Sequence, residues 1–367
     1  MPLVLSNSLR LMLSLALGLA GGWVAYQLHL PLPWLLGALA VTMLPSMAGV
    51  KLRGPKRLRS GVLAVIGLFL GGGFTPEIID QLGLWLVSLG GMLAATVVMG
   101  AFGVWYSHRI AGFDRATAWA AGLPGGLSAM TVLAPSLGAD VRLVALTHGM
   151  RLVTVLVGVP LAVDLVLGID LAEGNLPEPW AASPETGLTL VEMAFFAGCL
   201  VLGVPLARLL RFPTPSFTGP MALSAVLHIT GTLHAMPPSW LLVIAQVVIG
   251  VSVGVGFKGF PFLRLVRTLI TAAGQSVGFL VIGIASAVLM HEVTGLPLAP
   301  MMLAYVPGGA AEMGIVALAL GLDPAFVAVH HLSRLVIILM CMPLLIQWLL
   351  KPRPGKEKNA LPPMGQP

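Results

Sequence analysis

The chain has 367 residues, a hydrophobic fraction of 57% and a mean hydropathy of +0.96, and only 9% of its residues are charged. A soluble globular protein carries about 25% charged residues, so this composition excludes a soluble enzyme, a secreted disulfide scaffold and a disordered chain. The net charge of +6 comes largely from Lys and Arg in short loops between apolar runs, which indicates a multi-pass membrane protein. Cys199 and Cys341 lie within apolar runs and indicate no disulfide framework.

Apolar runs that are long enough to cross a membrane recur along the whole chain. A transmembrane helix needs about 20 apolar residues, and prolines divide the longest runs, with Pro31 and Pro33 in one and Pro237-Pro238 in another. The pattern predicts an all-α integral membrane fold with about ten transmembrane helices and two re-entrant or broken helices. The predicted helical segments are 8–28, 32–50, 60–76, 82–107, 113–138, 140–168, 187–211, 215–233, 240–257, 264–290, 297–321 and 324–350.

One long polar connector divides the chain into two membrane halves. We predict a first repeat at 1–168, an acidic Pro-rich connector at 169–186, a second repeat at 187–350 and a tail at 351–367, which we expect to be disordered. The first apolar segment resembles a signal peptide. No small-residue cleavage site with a polar flank follows it, so we expect it to be retained as the first span.

The two halves match when the sequence is shifted by 183 positions. The segment "GLPGGLSAMTVLAPSLGAD" (122–140) aligns with "YVPGGAAEMGIVALALGLD" (305–323), and downstream His148 and Arg151 align with His331 and Arg334. Membrane helices resemble one another in Leu, Ala and Val, but this general likeness does not supply a matched His-x-x-Arg. The sequence therefore predicts an internal duplication.

Each repeat contains a Pro-Gly-Gly motif, at 124–126 and 307–309, that interrupts an apolar helix. Roughly ten residues on each side of a break form about 15 Å of helix, which reaches halfway across a hydrocarbon core of about 30 Å. If both segments are re-entrant hairpins, nearly all Lys and Arg residues are cytoplasmic. That arrangement leaves five spans per half and makes the repeats inverted, as in secondary transporters. In the alternative arrangement, both interrupted segments cross the membrane as discontinuous spans and one other predicted helix does not cross it. That arrangement would also place the Lys and Arg residues in the cytoplasm.

The broken helices provide a candidate binding site near the membrane midplane. A helix that begins after the break presents free backbone N–H groups and a positive partial charge to an anion. Arg151 and Arg334 lie within predicted spans, where charged residues are costly and usually functional, and each has a His three residues earlier on the same face. The predicted substrate-binding residues are Pro124, Gly125, Gly126, His148, Arg151, Pro307, Gly308, Gly309, His331 and Arg334.

This set of residues has an alternative, purely structural explanation. The motifs would then make tight turns for packing, and each arginine would bind the free carbonyl groups of its broken helix. In the binding interpretation, two arginines related by the repeat clamp a carboxylate or a phosphate group.

Glu312 is the asymmetric feature, because Ala129 takes its place in the first repeat. A lone carboxylate within the membrane can carry a coupling proton, so we predict a proton-coupling role for Glu312; the alternative is an ion pair with Arg334 or Arg151. His330 and His331 adjoin, but neighbours on a helix point about 100° apart and make a poor metal pair. We therefore expect no metal and no other cofactor.

The duplicated blocks "GLPGGLSAM" with "THGMRLV" and "YVPGGAAEM" with "HHLSRLV" resemble the bacterial AbrB membrane family over about 8–350. The resemblance implies a bacterial inner-membrane protein. Members of that family carry the descriptions ammonia monooxygenase and AbrB family regulator. The sequence has no ligand set for copper or iron that would support the first description. The second does not imply DNA binding, since the chain has no soluble domain that enters a groove.

We expect a secondary transporter, not an enzyme, with a site for a small anionic or zwitterionic solute at the repeat interface. A membrane protein that affects gene expression indirectly, by moving or sensing a metabolite, is the second hypothesis. A metal-dependent membrane oxygenase is the third and least favoured. The expected location is the bacterial inner membrane with both termini cytoplasmic, and the expected partners are the lipid bilayer and the solute, with no nucleic acid. Homo-oligomerisation is left open.

Overall fold

Helices make up all the regular secondary structure in the described part of the chain. The computed structural model describes residues 6–30, 32–125, 130, 134–168, 188–257 and 262–350. The predicted connector 169–186 and tail 351–367 lie outside these residues. The helices are α1 Asn7–Gln27, α2 Pro33–Met47, α3 Lys56–Gly72, α4 Ile78–Arg109, α5 Arg115–Gly122, α6 Val141–Leu167, α7 Leu190–Leu209, α8 Pro215–Ile229, α9 Trp240–Val255, α10 Phe262–Thr294, α11 Leu298–Tyr305, α12 Ala310–Ala319 and α13 Pro324–Leu350, with a short 3₁₀ turn at Ala134–Leu137 before α6.

Six of these helices are long and apolar enough to cross a membrane, which confirms the prediction of an all-helical membrane protein. Three further apolar helices, α2, α9 and α12, have only 10–17 residues, fewer than the roughly 20 that a span requires. The count of about ten spans therefore stays a prediction. The membrane-crossing candidates are Asn7–Gln27, Asp80–Arg109, Val141–Leu167, Leu190–Leu209, Val266–Thr294 and Pro324–Cys341.

Most helices of the first half have a counterpart in the second half at an offset of 182 or 183 residues, with ends that agree to within two residues. Six pairs match in this way: α1 with α7, α2 with α8, α3 with α9, α4 with α10, α5 with α11 and α6 with α13. Matched residues also have matched local roles. Asp140 caps α6 by accepting hydrogen bonds from the backbone N–H groups of Arg142 (2.8 Å) and Leu143 (3.3 Å). Asp323 caps α13 by accepting two such bonds at 3.0 Å, as expected for a carboxylate at an N-cap.

Helices of one half pack on helices of the other. α3 lies against α8, and its equivalent α9 lies against α2, which is the equivalent of α8. These contacts are close because glycines bring the backbones together: a Cβ atom at Gly67 would overlap the carbonyl oxygen of Phe217, and one at Gly250 would lie 2.5 Å from the carbonyl oxygen of Leu35. Small residues serve this purpose in membrane helix packing. The largest cluster of buried apolar side chains runs through both halves and includes Tyr305 and Val306 at the second break. Ala121 and Leu123 at the first break belong to a smaller cluster.

Candidate functional site

The first helix break follows α5. The helix ends at Gly122, and Leu123, Pro124 and Gly125 leave the helical path, because proline lacks an N–H group to continue the hydrogen bonds. The Nη1 of Arg151 donates to the carbonyl oxygen of Leu123 at 3.4 Å, and its Nη2 donates to that of Gly125. The next residue of the motif, Gly126, lies outside the described residues.

The second break repeats this geometry. α11 ends at Tyr305, and α12 begins after Pro307-Gly308-Gly309, with Gly309 as its N-cap. Arg334 donates to the carbonyl oxygens of Tyr305 and Val306, both at 3.3 Å. The histidines are matched too, as each Nε2 lies beside a carbonyl of the short helix. The distances are 2.9 Å from His148 to Ala120 and 3.0 Å from His331 to Leu303.

Both arginines therefore bind free carbonyl groups where a short helix ends, as the structural explanation of the sequence pattern requires. The C-terminal end of a helix carries a negative partial charge, which stabilises the guanidinium there. Arg151 and Arg334 are each 3% exposed. Neither pairs with a carboxylate in the described ranges. A role in solute binding stays a prediction at this point.

The two copies differ in how fully their polar atoms are satisfied. In the second copy, Nη2 of Arg334 also contacts Nδ1 of His331. In the first copy, Nε of Arg151, Nδ1 of His148 and Oγ1 of Thr154 have no hydrogen-bond partner among the residues that the structure describes. These three residues follow one another at intervals of three along α6, on one face of the helix. Unsatisfied buried polar groups cost free energy, so the first copy has polar atoms available for a ligand.

Glu312 lies in the first turn of α12 and folds back against its own N-cap, where a Cβ atom at Gly309 would overlap the carboxylate. The carboxylate thus lies at the N-terminal end of α12, where the sequence analysis predicted that an anionic solute would bind. Its ion-pair partner is Arg59 of α3, with 3.3 Å between Oε1 and Nη2. The sequence suggested an ion pair of Glu312 with Arg334 or Arg151 as the alternative to proton coupling. That choice of partner was wrong, because the partner is Arg59. The pair joins the two halves of the chain.

A cavity of about 340 Å³ opens beside this ion pair. Its walls come from both halves: Arg59 and the residues before α3, the α6 face that includes Gly149, and the end of α9 with Ser252 and Phe257. A second cavity, of about 780 Å³, adjoins it at the N-terminal end of α1. Within the described ranges, no three His, Cys, Asp or Glu side chains come together in a group that could hold a metal.

The AbrB family, described as "Transition state regulatory protein AbrB", matches residues 34–350. The chain belongs to the AbrB family. Two curated AbrB-like proteins are similar to it over nearly their whole lengths. "Uncharacterized protein YhjN" of Bacillus subtilis (strain 168) is 27% identical over 359 residues, covering 92% of each chain. "Putative regulator AbrB" of Escherichia coli (strain K12) is 28% identical over 338 residues, covering 91% of this chain and 94% of that protein. The resemblance in the sequence motifs is thereby confirmed.

Sequence reasoning missed two features of this AbrB-family site. Arg59 belongs to the basic run at 51–59, which indicated only topology, and it lies 253 residues from Glu312 along the chain. A buried polar network was also missed: the hydroxyl of Ser88 lies 3.0 Å from Nε2 of His330, and the hydroxyl of Tyr305 donates to the Ser88 carbonyl at 2.6 Å. The absence of a repeat equivalent for Glu312 was a signal for the ion pair with Arg59. No signal in the sequence indicated the network around Ser88.

Proposed function

We propose that this AbrB-family protein is a secondary transporter of a small anionic or zwitterionic solute, with about ten spans, two inverted repeats and the solute site at their interface. The single observation that carries this proposal is a cavity of about 340 Å³ whose walls come from both halves, with the Arg59–Glu312 ion pair beside it. Transporters with inverted repeats expose their site to one side of the membrane at a time by exchanging the conformations of the two repeats.

The second half carries bulkier residues at two positions equivalent to the wall of this cavity. At the offset of 183, Leu332 replaces Gly149 and Leu242 replaces Arg59, and both leucines pack against the apolar core. On that side, a Cβ atom at Gly73 would lie only 2.6 Å from Cγ of Pro324, so the end of α3 touches the start of α13. The open cavity has the volume of a small-molecule site, since such sites start at about 300 Å³.

The charge of the region favours an anionic group on the solute. Arg151 and Arg334 place two positive charges in the interior. Among the described residues, polar atoms of Arg151, His148 and Thr154 in the first copy have no partner. A guanidinium with a free N–H edge binds a carboxylate or a phosphate through charge-assisted hydrogen bonds. Arg151 is not among the residues that line the cavity, whose α6 wall is Ala145, Leu146, Gly149 and Leu152. In this proposal Arg334 chiefly holds the second break, and the solute contacts Arg151 once it has passed this wall.

Glu312 is the proposed coupling residue. Its carboxylate is nearly buried, with 7% of the side chain exposed, and its partner Arg59 is 36% exposed on the cavity wall. A proton that binds Glu312 would release Arg59 and remove an ion pair that holds α3 against α12 across the two repeats. Protonation would thereby change the balance between the open and the closed arrangements.

Binding and flux measurements test this function. A panel of carboxylates, phosphate esters and amino acids is screened by thermal shift on purified protein, and the hits are tested for counterflow in proteoliposomes. Arg151→Gln should weaken binding of a hit about 10- to 100-fold, because a charge-assisted contact contributes about 1.5–3 kcal/mol. Glu312→Gln should still bind the hit but without the pH dependence of the wild type, because the titrating group is gone.

Two outcomes would contradict the proposal. If Arg151→Gln is merely less stable and each hit still raises its unfolding temperature by the wild-type increment, the solute site lies elsewhere. If no hit drives counterflow although several bind, the protein senses metabolites. That result would favour indirect regulation of gene expression, the role suggested by the name of the E. coli relative.

Topology gives an independent prediction. With both termini cytoplasmic and the connector outside, a cysteine at Glu178 should react with a membrane-impermeant maleimide in intact cells, and a cysteine at Arg109 should react only after lysis. The native Cys199 and Cys341 are first replaced by serine or alanine, because Cys341 is exposed. Labelling of position 178 only after lysis would refute the inverted-repeat arrangement while leaving the site chemistry open.

A further inference from the structure

The cavity of about 780 Å³ lies where the N-terminal end of α1 meets the segment that leads into α3. Three arginines line it: Arg10 from the first turn of α1, and Arg53 and Arg57 from around the start of α3. None of them pairs with a carboxylate in the part of the chain that the structure describes, whereas nearby Arg59 is bound to Glu312. The cavity therefore holds three positive charges without a counter-charge from the protein.

The walls of this cavity are tied together by a buried hydroxyl. Ser14 accepts a hydrogen bond from the backbone N–H of Arg53 at 3.1 Å and donates one to the carbonyl oxygen of Arg10 at 2.8 Å. Asn7 and Ser8, in the first turn of α1, also line the cavity, and a helix N-terminus adds a positive partial charge. One buried side chain thus joins the backbone of α1 to the backbone of the segment that leads into α3.

The basic character of this junction is specific to the first half. At the offsets that superpose the repeats, 182 for α1 and 183 for α3, the equivalents of Arg10, Arg53 and Arg57 are Glu192, Met236 and Trp240. None of these three equivalent positions in the second half carries a cation. Packing alone does not require the three arginines.

We propose that this cavity binds a phosphate-bearing anion, and that in the bilayer this anion is the headgroup of an anionic phospholipid. Arginine pairs with phosphate through two parallel hydrogen bonds, and basic pockets between membrane helices bind such headgroups. The floor of the cavity is apolar, with Leu11, Leu52 and Val255, which suits the glycerol and first acyl carbons. Met12, on the same helix, is 66% exposed and presents apolar surface for the acyl chains.

A lipid here would lie next to the proposed transport route. Gly54, Pro55 and Val255 line both this cavity and the neighbouring one of about 340 Å³. A bound headgroup would therefore contact the wall that the two cavities share. The lipid proposal does not require that the protein is a transporter.

Lipid titrations of the purified full-length protein test the proposal. In neutral detergent, dioleoylphosphatidylglycerol should raise the unfolding temperature in a saturable way, and dioleoylphosphatidylcholine should not. The double variant Arg53→Gln/Arg57→Gln should bind the anionic lipid about 30-fold more weakly, since each basic residue near an anionic headgroup contributes about 1 kcal/mol. The control is Arg109→Gln/Arg208→Gln, which removes the same charge from exposed helix ends outside the cavity.

Each result has a defined meaning. If the two double variants titrate alike, the lipid responds only to overall charge and the proposal is overturned. If inorganic phosphate alone gives the full wild-type shift and the lipid adds nothing, the phosphate site is supported and its assignment to a lipid is overturned. Unfolding temperatures without lipid show whether a variant is folded. If the double variant is not, the single Arg57→Gln replaces it, with Arg109→Gln as control and a loss of about 5-fold expected.

Discussion

Replacing Gly67 with alanine should lower the free energy of unfolding by about 3 kcal/mol. The new Cβ would overlap the carbonyl oxygen of Phe217 and lie 3.2 Å from the backbone nitrogen of Met221. Both atoms belong to the backbone of α8, which cannot rotate away as a side chain can, so α3 and α8 must move apart. Reversible unfolding in mixed micelles, followed by circular dichroism, measures the loss.

The same helix offers a matched control for this substitution. Gly61, two turns earlier in α3, is exposed, and a Cβ atom there would meet no atom of a neighbouring helix within 4 Å. Gly61→Ala should therefore be neutral or stabilising by up to about 1 kcal/mol, because alanine favours the helix over glycine. Gly250→Ala, at the equivalent contact between α9 and α2, should match Gly67→Ala. Equal stability of the Gly67 and Gly61 variants would show that the two halves are not packed as described.

Replacing Arg334 with methionine should cost about 3 kcal/mol of stability. The carbonyl oxygens of Tyr305 and Val306 and the Nδ1 of His331 would lose their donor, and depriving a buried polar group of its partner costs about 1–3 kcal/mol. Methionine keeps an unbranched apolar side chain in place of the arginine stem, so the loss reports mainly on the guanidinium. Arg334→Lys should recover only part of it, because an ammonium lacks the planar fork that bonds neighbouring carbonyls together.

Arg208 provides the control for this change. It is an exposed arginine in the last turn of α7, and Arg208→Met should alter stability by less than about 1 kcal/mol. If Arg334→Met unfolds at the same denaturant concentration as Arg208→Met, the second break does not depend on its arginine. The structural role of Arg334 would then be refuted, and the assignment of its guanidinium to the carbonyl groups would have to be withdrawn.

The sequence predicted the helix breaks because proline acts locally. The missing N–H group ends a helix wherever Pro124 or Pro307 occurs, whatever the surrounding fold. Hydropathy predicted helix ends less well. The segment predicted at 32–50 ends at Met47, since Gly49 takes a left-handed conformation with φ of +90°. The segment predicted at 264–290 continues to Thr294, and the first left-handed glycine after it is Gly295.

Long-range partners could not be predicted from the pattern. The repeat placed Arg151 and Arg334 in equivalent positions, but whether a guanidinium meets carbonyls, a carboxylate or a solute depends on how separate helices approach. Arg59 shows the difficulty, because its neighbours in the sequence are basic residues typical of a cytoplasmic loop, and only the packing of α3 on α12 brings it to Glu312. The cavity wall at Gly149 depends likewise on the approach of three segments that are far apart in the sequence.

The exchange of partners between α3–α8 and α2–α9 means that neither half is a self-sufficient folding unit. A polypeptide carrying only the first half would leave the glycine-lined faces of α2 and α3 uncovered, since their packing surfaces are supplied by the other half. Two half-length chains made in the same cell should therefore find each other and reconstitute one protein. A single-copy ancestor would have met the same need by dimerising, so the gene duplication joined subunits that already depended on each other.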